Sequence, residues 1–240
     1  MNSETPWHVR HRWKTLGIAL LSIPVAYIAS AYEVAPSVWR LVERRHPALD
    51  VVETRVVTSA SIPGDPLNIS FVGDEVQLQE IMKSAQWLPA DPITMRSSLR
   101  IAVDSVIHKP YPFAPVSDLY LFGRKQDLAF EQEAYGDPST RHHVRFWRSA
   151  ALDMLGRPLW LGAATYDASV GFSHTTGQIT HHIGADVDAE RNKLLGDLAE
   201  KTQVVVSWID NFQKSRFGKN GGGDTFVTDR RMAVIQIKPQ

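Results

Sequence analysis

The sequence predicts an α+β fold: a single N-terminal transmembrane helix, then one globular domain with a mostly antiparallel or mixed sheet and about three helices. Three observations carry that reading. Thr15 to Tyr32 is an uncharged run between Lys14 and Glu33. Stretches following Asp74, Pro92 and Asp186 place apolar residues at helical spacing behind capping residues. Between them, Asp118 to Ile183 is dominated by apolar or alternating segments separated by short turns.

Composition limits the chemistry. A chain of 240 residues accommodates one medium domain and an appendage. Its 26 Lys and Arg balance 26 Asp and Glu, which removes the electrostatic basis for nucleic-acid binding. Without cysteine there is no disulfide framework, thiolate metal site, iron–sulfur cluster or cysteine nucleophile.

Eighteen helical residues span about 27 Å, close to the hydrocarbon core of a bilayer. Pro24 lies near the middle of the run, where a membrane helix tolerates it as a kink. A cleaved signal peptide is the competing reading, with Arg10, Arg12 and Lys14 as the basic region and Ala29-Ser30-Ala31 as the cleavage signal. The anchor is preferred because the run exceeds a usual signal-peptide apolar region of about 7–15 residues. Arg10, Arg12 and Lys14 crowd the span, whereas Arg40, Arg44 and Arg45 begin well beyond it, placing the N-terminus in the cytoplasm. The expected organisation is a cytoplasmic segment 1–14, a membrane helix 15–32, a connector 33–63 and a globular domain 64–238. The domain is thereby expected outside the inner membrane.

In the connector, Pro36, Pro47 and Pro63 are breaks, and Asp50 to Ser59 reads as a first strand or a strap. Leu67 to Val72 reads as a buried strand. Asp74 and Gln77 form a capping box ahead of Leu78, Ile81, Met82 and Ala85 on one helical face. A second helix follows Pro92, with Thr94 as cap and Met95, Leu99, Ala102, Val103 and Val106 on one face. Strands follow at Leu119 to Phe122, Leu128 to Glu131, Arg141 to Trp147, Leu159 to His174 and Gln178 to Ile183. Gly123-Arg124-Lys125-Gln126 and Thr175-Thr176-Gly177 read as hairpin connections. Asp186 to Thr202 is helical, with Val187, Leu194, Leu195 and Leu198 inward. Val204 to Ile209 is apolar without a decisive period, Lys219 to Asp224 reads as flexible, and Met232 to Ile237 alternates as a closing strand.

Five segments in order carry a resemblance: Gly64 to Gly73 (GDPLNISFVG), Thr94 to Ala102 (TMRSSLRIA), Pro115 to Glu131, Arg141 to Arg148 (RHHVRFWR) and Gly171 to Arg191. Over roughly Gly64 to Lys238 the chain resembles the LssY C-terminal domain family. That bacterial family takes its name from a type I secretion component, and similar domains occur fused to membrane phosphatase-like and DedA-like modules. The resemblance implies an envelope protein. It carries no catalytic residues over.

Histidine is the informative residue type, because His142, His143, His174, His181 and His182 fall close together, followed by Asp186, Asp188 and Glu190. Imidazole and carboxylate suit zinc, manganese or iron. His174, His182 and Asp186 are the candidate metal ligands, and His174, His181, His182 and Asp188 the candidate catalytic groups of a hydrolase. Alternation on strands puts His142 with Val144 and Phe146, and His181 with Ile179 and Ile183, while His143 and His182 face the other way. Arg141, His143 and Arg145 share one strand face, which a lipid phosphate or another anion could occupy. Against these readings, Asp186 and Asp188 are sufficiently explained as helix-capping carboxylates, and no spacing matches His-Glu-x-x-His. Asp186-x-Asp188-x-Glu190 begins like a calcium loop, but Arg191 stands where the turn needs glycine. No phosphate-binding glycine loop and no Gly-x-Ser-x-Gly elbow occur.

The expected function is a membrane-anchored binding or assembly module of the envelope, with envelope proteins or lipid phosphate as partners. The alternative is a metal-dependent or His/Asp hydrolase acting on a phosphorylated or lipid-linked envelope substrate. No cofactor is expected beyond the divalent metal that such a hydrolase could use.

Overall fold

The computed structural model describes residues 22–35, 37–38, 54–90, 118–134 and 140–238. The helix expected behind Pro92, the start of the uncharged run at 15–21 and the connector at 39–53 lie outside them. Among the described residues no helix is long and apolar enough to cross a membrane. Residues 22–28 are α-helical and continue into a π-helical segment, Ala29–Val34.

The domain is α+β, as its periodicities require. Its central sheet is built from β3 (Ile69–Val72), β4 (Leu88–Pro89), β7 (Leu128–Glu133), β8 (Arg141–Leu152), β9 (Pro158–Phe172), β10 (Ile179–Ile183), β11 (Val204–Ile209) and β14 (Met232–Ile237). The order is β11-β14-β3-β9-β8-β7-β4, with β10 also on β9. Only β14 and β3 run parallel among these pairs, so the sheet is mixed but mostly antiparallel. β9 runs 15 residues and serves two partners on one side, β3 at Leu159–Gly162 and β10 from Asp167 onward.

Among the described residues two helices cover one face. α1 (Glu75–Ser84) begins with the expected capping box: the Gln77 N–H donates to Asp74 at 2.8 Å, and the Gln77 side chain accepts from the Asp74 N–H at 3.0 Å. α2 (Val187–Lys201) is capped by Asp186, which accepts from the N–H groups of Asp188 and Ala189. Leu78, Ile81 and Met82 of α1 meet Leu194 and Leu198 of α2 over Ile69, Phe71, Val144, Phe146, Trp160 and Ile235. This is the main core.

A smaller antiparallel sheet covers the opposite face, ordered β2-β1-β5-β6 from β1 (Arg55–Thr58), β2 (Pro63–Pro66), β5 (Leu119–Leu121) and β6 (Arg124–Lys125). Val56, Leu67, Leu119 and Leu121 pack there on Trp147, Ala163 and Met232 as a second core. Arg124 and Lys125, expected in a turn, are a strand instead. Phe122 and Gly123 make the tighter two-residue turn, both with positive φ, as a hairpin twist requires. β11 takes the strand form because β14 offers it a full antiparallel edge. A last hairpin, β12 (Phe217–Lys219) and β13 (Thr225–Val227), stands apart from both sheets.

Two buried polar side chains join the layers. Asn68 donates to the carbonyls of Ala164 and Val187 and accepts from the Ala164 N–H, tying the β3 start to β9 and α2. Arg191, 0% exposed, holds Asp229 through both terminal nitrogens at 3.0 Å, also meets Asp188, and lies over the Trp208 ring. The N-terminal segment docks on the β9–β10 turn: the Tyr27 hydroxyl donates to Gly177 and the Gln178 side chain to Ala31.

Asn68→Ala strands the Ala164 N–H and the Val187 carbonyl in the interior. We expect a loss of roughly 2–5 kcal/mol, read as a melting temperature lower by roughly 10 °C. Asn68→Asp, which keeps one acceptor and buries a charge, should fare no better in the same melt.

Candidate functional site

Strand parity sorts the chemistry. On β8 the even residues His142, Val144 and Phe146 face the helices, whereas Arg141, His143, Arg145 and Trp147 face the small sheet. Trp147 packs there among apolar neighbours. The other three are buried charges or potential charges, and burial of this kind demands partners.

Those partners arrive from separate strands. Arg141 Nη1 lies 3.2 Å from Glu131 of β7, opposite which His143 sits in register. Arg145 Nη1 lies 3.5 Å from Asp65 of β2. Asp167 Oδ2 of β9 stands 2.9 Å from His181 Nδ1 on β10 and 3.1 Å from His143 Nδ1, neither contact aligned as a hydrogen bond. Asp65, Arg145, Asp167 and His181 also line a cavity of about 590 Å³ between β10 and the small sheet, with Asn220 and Thr180 on its walls and Tyr32 at its edge. The Arg145 Nε–H, buried beside this cavity, has no hydrogen-bond acceptor among the described residues.

A second cluster lies at the outer end of β9 and β10. Asp224, between β12 and β13, approaches His182 at 2.6 Å and His174 at 3.9 Å. One ligand atom from each of the three lies within 4.8 Å of the others, an arrangement that could hold a metal. The 219–224 segment, read as flexible from its glycines, is a bonded turn: the Asn220 N–H donates to the Asp224 carbonyl and the Gly223 N–H to the Asn220 carbonyl.

The candidate residues therefore divide. His174 and His182 come together, but Asp224 joins them, while Asp186 stays at the α2 N-terminus as its cap. Asp188 binds Arg191, the Thr228 hydroxyl and the Asp229 N–H, which fixes it as a structural group. His181 faces the cavity through its pairing with Asp167. His143 and Arg145 are buried in the charged layer rather than on an open anion face. His142 pairs with Glu190 on the helix side at 2.7 Å. Asp65, Asp167 and Asp224 were not singled out from sequence. Asp167 alone left a signal, as the one charge inside a long apolar strand.

The family model described as LssY C-terminus matches residues 49–232. The chain belongs to the LssY C-terminus family. No curated protein and no solved structure matches it. The paired charges of this LssY C-terminal domain fall on β2, β7, β8, β9 and β10, within the matched region.

Environment separates the carboxyls of the LssY domain. Burial raises Asp65 despite Arg145 beside it, with Asp167 adding repulsion. For Asp167 burial works upward too, but His143, the adjacent His181 and Arg145 outweigh it and hold the group below the usual carboxylate range. Two carboxyls pushed apart around one cavity are the pattern from which acid and base roles are built. Burial drives His143 down to about 3, with Arg145, His181 and Arg141 adding to it and Asp167 opposing. It is neutral at neutral pH.

An unfolded histidine binds its proton near pH 6.5, so between about 6.5 and 3 the unfolded chain takes up a proton that folded His143 refuses. His143 thus costs no stability above pH 6.5, and about 1.4 kcal/mol for each unit below it. Urea unfolding at pH 7.5 and pH 5 should show a loss smaller by about 2 kcal/mol in His143→Gln than in the parent. Equal losses would mean that His143 is protonated in the folded chain.

Proposed function

We propose that this protein is a membrane-anchored envelope module that binds a polar head group at the membrane surface. The carrying observation is the buried Arg145 guanidinium, whose Nε–H lacks an acceptor among the described residues beside a cavity lined by carboxylates and hydroxyls together with apolar side chains. An acidic oxygen completes Arg145, as in many phosphate sites. Hydroxyl or amine donors satisfy Asp65, Asp118 and Asp167. A phosphorylated polyol or amine combines both, and a volume of about 590 Å³ suits a ligand of that size.

Membrane attachment is supported by the uncharged 15–32 run and by exposed apolar side chains of the same segment, Ile23, Val25 and Ile28. Tyr32 of that segment is among the residues that line the cavity. In this reading the globular domain lies outside the inner membrane. Lipid phosphate is then the nearest source of ligand.

A hydrolase is the second reading, favoured by the His181–Asp167 pair. With Nδ1 turned toward Asp167, His181 has Nε2 to take a proton from water, and Asp65, raised by burial, supplies one to a leaving group.

The full chain in detergent is the material for the test, with glycerol 3-phosphate and phosphoethanolamine as probes. At a hundredfold over Kd, binding adds about 2.7 kcal/mol, a rise of roughly 5–10 °C in melting temperature. Arg145→Gln should abolish the rise. Thr180→Trp, which fills the cavity while leaving its charges, should do the same with the fold intact by circular dichroism. No rise with either probe overturns the binding reading. Cleavage of bis(p-nitrophenyl) phosphate that falls at least a hundredfold in His181→Gln, with probe binding kept, replaces the module by the hydrolase.

A further inference from the structure

The β12–β13 loop brings one carboxylate to two imidazoles, and we propose that His174, His182 and Asp224 form a binding site for a divalent transition metal of the zinc class. Asp224 Oδ1 lies 2.6 Å from His182 Nδ1 and 3.9 Å from His174 Nε2. Around a tetrahedral ion with bonds near 2.0–2.1 Å, ligand atoms stand about 3.3 Å apart. One observed separation is shorter and the other longer than that value, and all three ligand atoms lie within 4.8 Å of one another, so the site closes when His182 and Asp224 give up their hydrogen bond and draw apart by about 0.7 Å while the exposed His174 moves inward. Two imidazoles and a carboxylate suit zinc, cobalt or manganese, whereas magnesium and calcium favour oxygen ligands.

The surroundings are shaped for this arrangement. Asp224 Oδ2 accepts from the Ile183 N–H at 3.1 Å and the Asn220 side chain at 3.3 Å, which leaves Oδ1 directed at the imidazoles. At Gly171, a Cβ would fall 2.7 Å from His182 Nε2. Glycine there lets the ring lie against β9 with Nδ1 turned to Asp224. Gly223 has φ +89°, and a Cβ on it would sit 2.8 Å from the His174 Cβ. Glycine therefore lets the loop pass close under His174, whose N–H donates to the Gly222 carbonyl at 2.8 Å.

Three protein ligands leave a fourth position open to water, and His174, 69% exposed, keeps the site accessible. A bound ion clamps the loop to the β9–β10 turn. Asn220, Gly221 and Gly222 of that loop also line the cavity, so the ion stiffens one of its walls.

The test titrates zinc into the full chain in detergent after chelator treatment, read by calorimetry and by melting. One equivalent should bind and raise the melting temperature by several degrees, and cobalt should give a visible absorption band. His174→Ala, at an exposed position, should leave the metal-free melting temperature unchanged and weaken zinc at least tenfold. Asp186→Ala should bind zinc like the parent. Absence of stoichiometric uptake, undiminished affinity in His174→Ala, or displacement of zinc by millimolar magnesium each overturns the proposal.

Discussion

The architecture depends on neutralising a charged layer between two sheets. β8 must present Val144 and Phe146 to the helices, and strand alternation then forces Arg141, His143 and Arg145 onto the opposite face. A single-residue slip would send the guanidinium groups into the main core and the aromatic ring out. The small sheet makes this face viable. It shields the charges from water while β2 supplies Asp65, and β7 and β9 supply Glu131 and Asp167. Register, layer order and electrostatics are thus one constraint, because each arginine left without its acid would be an uncompensated buried charge.

Histidines follow the same sorting. His142 lies on the helix side against Glu190, where burial raises the acid and the imidazole opposes it. His143, one residue on, lies in the charged layer. On β10, His181 turns inward to Asp167, and its neighbour His182 turns to Asp224. Adjacent histidines that look interchangeable in sequence have separate surroundings, and therefore separate chemistry.

Much of the fold was legible because its signals are local. Capping residues Asp74 and Asp186 start their helices, and alternation locates the long strands. Strand lengths were less legible: β8 runs on to Leu152 because β9 continues to pair with it beyond Trp147. The two-residue turn at Phe122–Gly123 was hidden because a phenylalanine rarely takes a positive φ. The site was half legible. Imidazoles announced themselves by clustering, but their acids come from remote strands and loops. Asp224 lies 42 residues beyond His182, and no local pattern distinguishes it from a solvated loop carboxylate. Asp186 was nearer in sequence and was already engaged by its own helix. Asn68 and Arg191, which join layers rather than build elements, leave no periodic trace at all.

The placement of β14 bears on how the chain is made. Residues 232–237 insert between β3 and β11, pairing in parallel with 69–72, so more than half of the sequence separates the two partners. Until that last strand emerges, Ile69 and Phe71 stand on an unpaired edge, and such an edge invites pairing with another chain. Closing so long a loop is also slow compared with forming a hairpin. A ribosome that has released residues 69–72 therefore delivers an incomplete sheet until residues 232–237 follow.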